Sequence, residues 1–176
     1  MLEKSIRPPS ASSWHTVAAQ KKQIGLSMPD NTDSAETPKV ADQPISDILL
    51  NQRYRNHLIG YFEWVSSHEE QRKYQAAVPY VHMPHEAFNQ WEDYASDRIL
   101  RYYVEPVFSV EEQQALRDYR AVLNSASEDT PQILPPLEQM IGTEPWERLR
   151  AAAEKALEIF MRRGSFDWEV EQFPTN

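Results

Sequence analysis

Apolar and polar positions alternate along this chain mainly with a helical period. Leu50, Tyr54, Leu58, Tyr61 and Val65 recur at steps of three and four, the spacing that lines one face of an α-helix. Ile48, Leu49, Ile59, Phe62 and Trp64 widen that face. A helix that is apolar over most of its surface belongs in the centre of a fold. Ser46 is placed to cap it, with Asp47 in its first turn. Ser67 and Glu70 have capping-box spacing, so a second helix is expected from His68 to Val78, stopped by Pro79. Pro84 opens a third, with Phe88, Trp91, Ala95, Ile99 and Tyr102 on its stripe and Glu105-Pro106 at its end.

Ser109 and Glu112 repeat the capping-box spacing ahead of Leu116, Tyr119 and Leu123. Residues 124–130 are polar and read as a loop, followed by a short helical turn from Leu134 to Ile141. Thr143, Glu144 and Pro145 mark the start of a last helix over 144–163, striped by Trp146, Leu149, Ala153, Leu157 and Phe160. Arg162 and Arg163 suit its C-terminal dipole, and Gly164 suits a left-handed cap. After it the period changes to two. Phe166, Trp168 and Val170 alternate with Asp167, Glu169 and Glu171, the pattern of a short half-buried strand. No second strand pattern exists to pair with it. The alternatives are an extension lying on the bundle and a strand that adds to a partner's sheet.

The expected fold is all-α: an irregular bundle of about five helices with a short extended C-terminal tail. Residues 1–43 fall outside the pattern. They are rich in Ser, Thr, Pro, Asp and Gln and hold one aromatic, Trp14. Such a segment buries too little apolar surface to offset its ordering entropy, so a disordered N-terminal arm is expected, with 44–176 as one helical domain. Within the arm, 27–43 read as linker. Residues 1–26 carry four bases and a single acid, Glu3. Trp14 and Val17 stand at i, i+3, which would let a short amphipathic helix form on a partner. In being Ser-rich and acid-poor this segment resembles bacterial type III export segments, and the resemblance implies an exported effector as one alternative function.

Charge sharpens the division. The chain has a net charge of −9. Bases and acids balance over 1–43, so the domain carries the whole excess. That surface repels phosphates, which argues against a nucleic-acid partner and for a protein partner, a basic one above all. The absence of cysteine excludes disulfides and thiolate chemistry and fits a cytoplasmic setting. Four glycines leave no phosphate-cradling loop, and no apolar run is long enough to span a membrane.

Candidate chemistry is sparse. His82-Met83-Pro84-His85-Glu86 is the densest cluster, and His85, Asn89, Asp93 and Asp97 follow at steps of four. Two imidazoles and a carboxylate, from His82, His85 and Asp93, are a ligand set for a divalent metal, although the spacing is that of no established motif. No cofactor is otherwise expected. Glu63 on the apolar helix is a candidate for a raised pKa or for pairing with Arg53 or Arg55. No serine sits in a nucleophile elbow, and no catalytic residue is assigned. The reading that follows is a non-enzymatic acidic interaction protein of the adaptor, immunity or inhibitor, or secretion-accessory kind. Trp14, Val17, Trp168 and Val170 are its candidate contact residues, and a metal-dependent enzyme at His82, His85 and Asp93 is the alternative.

Overall fold

The computed structural model describes residues 45–173. The 1–43 arm, with Trp14 and Val17, lies outside them. Seven helices are present among the described residues, and no strand: α1 (Asp47–Val65), α2 (His68–Ala77), α3 (Met83–Ala95), α4 (Asp97–Leu100), α5 (Val110–Asp129), α6 (Leu137–Met140) and α7 (Glu144–Met161). The all-α expectation is met.

Most boundaries follow the sequence signals. The Ser46 hydroxyl accepts from Leu49 N at 3.1 Å and the Ser67 hydroxyl from Glu70 N at 3.3 Å. Ser109 and Glu112 complete a reciprocal capping box, Glu112 N to Ser109 Oγ at 3.2 Å and Ser109 N to Glu112 Oε2 at 3.0 Å. Gly164 has φ +66° after α7, the left-handed conformation that glycine adopts without strain. Thr143 differs. Its hydroxyl donates back to Met140 O at 2.7 Å instead of capping α7.

Two expected elements change. The single helix predicted from Pro84 to Tyr102 breaks at Ser96, where the backbone is extended (φ −60°, ψ 159°). The break folds the chain back, so that the Tyr103 hydroxyl donates to the Tyr94 carbonyl, which α3 leaves without a partner. Tyr103 is thereby buried, while its neighbour Tyr102 faces out. Conversely, 124–130 is no loop: α5 runs on to Asp129 because Ala126, three residues after Leu123, continues the buried stripe.

α1 packs on α7 and against α2 and α3, while α5 and α7 form the most extensive helix pair. α5 and α7 run antiparallel: Arg162 and Arg163 at the end of α7 pair with Glu111 and Glu112 at the start of α5, and Arg148 near the start of α7 pairs with Asp129. The two arginines expected to answer the α7 dipole are spent on α5 instead.

The core is aromatic. Tyr61, Phe62, Trp91, Tyr119, Trp146 and Phe160 are all essentially inaccessible. Phe62 packs edge-on against Tyr119 at 5.0 Å and Phe160 at 5.6 Å, arrangements that suit the ring quadrupoles. The Tyr61 and Tyr119 hydroxyls meet at 2.8 Å, and Tyr61 Oη also donates to Ala87 O at 2.8 Å. Tyr61 has a single proton, so Tyr119 is the donor between the two rings. Burial raises the pKa of both phenols.

Candidate functional site

The feature that departs most from a plain helical bundle is the first half of α1. Gln52, Arg55 and Asn56 occupy the same stripe as Ile59 and Phe62 and are as buried as a core residue. Buried polar groups need partners. Those of Gln52 and Asn56 come from the segment after α7, and those of Arg55 from α5, the end of α7 and Gly164.

Asn56 acts as a surrogate peptide. Its Nδ2 donates to Phe166 O at 2.8 Å and its Oδ1 accepts from Phe166 N at 2.9 Å. One turn earlier, Gln52 Nε2 donates to Val170 O at 3.0 Å and Asp167 O at 3.3 Å, while its Oε1 accepts from Gln172 N at 2.6 Å. Arg53 Nε donates to Trp168 O at 2.7 Å. Residues 164–173 thus find their missing strand partner in helix side chains. The segment also holds its own bend: Asp167 Oδ1 accepts from Glu169 N at 2.7 Å and from Val170 N at 2.9 Å, and these bonds lower the pKa of that carboxyl.

Beneath the segment lies a buried ionic cluster. Arg55 gives Nη2 to Glu112 Oε1 at 2.6 Å and to Phe160 O at 2.9 Å, and Nη1 to Gly164 O at 2.6 Å. Arg163 Nη1 meets Glu112 Oε2 at 2.9 Å. Phe166 closes the top, its ring centre 4.2 Å from the Arg55 guanidinium and 5.1 Å from that of Arg163, within cation–π range. Glu112 therefore joins the cap of α5, the end of α7 and the middle of α1.

The apolar residues of the tail do not share one buried face. Phe166 is buried at 7 % exposure, whereas Trp168 is 45 %, Val170 62 % and Phe173 63 % exposed. Trp168 lies edge-on to His57 at 5.1 Å, and the other side of that contact is a stacked pair, His57 on Tyr94, also at 5.1 Å. Burial lowers the pKa of His57.

The histidines of the 82–86 cluster sit elsewhere. His82 precedes α3 and folds back to His85, with ring centres 4.5 Å apart. Its Nδ1 is buried without a hydrogen-bond partner, and burial, then the neighbouring His85, lower its pKa. Asp93 is exposed further along α3. Among the described residues no group of three or more His, Cys, Asp or Glu side chains stands close enough to hold a metal ion. Asp97 leaves the face it was expected to share, because α4 turns it to Arg120. An open depression of about 490 Å³ beside His85 is lined by Phe88, Asn89, Ser127, Thr130 and Leu134.

Glu63 is exposed, with its pKa raised by partial burial and then by Glu70. It pairs with neither candidate, since Arg53 goes to Glu169 and Arg55 to Glu112. The residues that organise the tail, Gln52, Arg53 and Asn56, were missed from sequence. The signal was present: two polar side chains, at i and i+4, interrupt the stripe that Ile59 and Phe62 continue.

No helix among the described residues is long and apolar enough to cross a membrane. In comparisons with known proteins, no family model matches the chain, and no curated protein or solved structure is significantly similar to it.

Proposed function

We propose that this chain is a non-enzymatic interaction protein of the adaptor, inhibitor or secretion-accessory kind, binding a basic protein through its C-terminal segment and the acidic surface around it. The observation that carries this reading is the division of labour within 166–173. The main chain is bonded to α1, while Trp168, Val170 and Phe173 are left exposed among Glu169 and Glu171. Trp in a fixed setting concentrates binding energy at interfaces. Charge supports the choice of partner. Most of the domain's arginines are already matched by its own carboxylates, at Arg72–Glu138, Arg120–Asp97, Arg148–Asp129 and Arg150–Glu147 among others, so the surplus is acidic.

The test is affinity capture from the source cell with the full chain and a Trp168→Ala/Val170→Ala variant, at low and at moderate salt. The reading requires a partner of basic pI, retained at low salt, weakened as salt rises and lost from the variant. A captured protein indifferent to both salt and the variant, or no stable partner at all, overturns it.

A further inference from the structure

α1 reads the tail largely through main-chain atoms: Phe166 N and O, Asp167 O, Trp168 O, Val170 O and Gln172 N. None of these bonds depends on the tail belonging to the same molecule. The Asp167 turn is internal to the tail, so the segment keeps its shape as a ligand. The tail joins the bundle through one residue, Gly164, whose φ of +66° turns the chain back over Arg55.

We infer that the groove on α1 also accepts residues 165–173 of a second copy of this chain, giving a reciprocal dimer in which each tail lies on the other molecule's Gln52, Arg53 and Asn56. The occupant is argued from the fit itself: the chain's own tail satisfies every buried amide of the groove, and a second copy presents the same atoms. Exchange of an identical element needs no new interface, only an opened hinge. The dimer is reciprocal because each molecule that gives up its tail exposes a vacant groove. Phe166 from the second copy restores the cover over Arg55 and Arg163. In the closed monomer the tethered tail competes at an effective concentration on the order of millimolar, so the hinge sets the balance. This inference stands apart from the proposed basic partner: it uses the buried side of the tail, not Trp168, Val170 or Phe173.

Gly164 gives the test. A Cβ built there meets nothing within 4 Å, so a side chain at this position meets no clash at its first atom and is felt as strain in the left-handed backbone of the closed turn. An opened hinge is free of that strain. Gly164→Val should favour opening by roughly tenfold per hinge, and so lower the dimer Kd by about a hundredfold, since each dimer opens two. Size-exclusion chromatography with light scattering on the full chain, from about 10 μM to about 1 mM, reads it. The expected result is a dimer in Gly164→Val at concentrations where the unaltered chain is monomeric, and a monomer again in the same variant lacking residues 165–176, which has no element to exchange. Gly164→Ala repeats the comparison if the valine variant fails to fold. A folded hinge variant that stays monomeric throughout overturns the inference, as does a dimer that survives removal of residues 165–176.

Discussion

Arg55 and Glu112, 57 positions apart in sequence, form an ion pair with both side chains excluded from water, Nη2 to Oε1 at 2.6 Å and Nε to the same oxygen at 3.2 Å. The pair is bonded on every side, by Phe160 and Gly164 carbonyls on the arginine and by Ser109 N and Arg163 on the carboxylate. That saturation allows two charges to stay in a low-dielectric interior.

Removing one member should leave the other uncompensated. Arg55→Met is expected to destabilise the protein by about 3 kcal/mol or more in urea unfolding. Arg55→Met/Glu112→Leu should cost less than the sum of the two single substitutions. Additivity would show that the residues do not act as a pair.

Asn56→Ala deletes both bonds to Phe166 and leaves its N–H and C=O unmatched. The expected cost is about 1–3 kcal/mol, and hydrogen exchange should accelerate selectively at the tail amides of Phe166 and Gln172. Equal acceleration throughout the bundle would mean that the tail is not a separate unit.

The tyrosine pair should respond unequally. Tyr119→Phe removes a donor but leaves Tyr61 donating to Ala87 O. Tyr61→Phe strands the Tyr119 hydroxyl inside the core and should cost more, by about 1 kcal/mol. Burial raises the pKa of Tyr61, Tyr119 and Tyr103, and that of Tyr74 to about 12. The folded protein therefore holds protons that the unfolded chain releases from about pH 10 upward. Stability should be complete below that pH and fall as pH rises through the folded values. Tyr61→Phe and Tyr119→Phe should each flatten the alkaline limb of a stability–pH curve.

His57 has the opposite sign. Its pKa is lowered by burial between Tyr94 and Trp168. The unfolded chain takes up a proton first, so the contribution is present above about pH 6.5 and fades as pH falls. His57→Gln should reduce the loss of stability between about pH 6.5 and 5, and Trp168 emission should report the same transition in the unaltered protein.

Helix signals carried most of the fold, because capping and periodicity are local. Ser46, Ser67, Ser109 and Gly164 each mark a boundary by chemistry contained within a few residues. The failures were tertiary. The break at Ser96 is set by Tyr103 returning to Tyr94, and the extension of α5 by where Ala126 packs. Alternation at Phe166, Trp168 and Val170 reads as a strand only if the partner is a strand, and here the partner is a row of amides on a helix. Gln52 and Asn56 stand out locally by interrupting an apolar stripe, but nothing near them names the residues, more than a hundred positions later, that bury them.

That separation bears on how the chain is made. α1 emerges from the ribosome long before residues 164–173, and vectorial synthesis leaves Gln52, Arg55 and Asn56 in contact with water until the tail appears. The contacts of the tail with α1 are among the domain's most distant in sequence, the non-local kind of pairing that slows folding. A polar face keeps the waiting end of α1 hydrated in the meantime, where an apolar one would have invited aggregation.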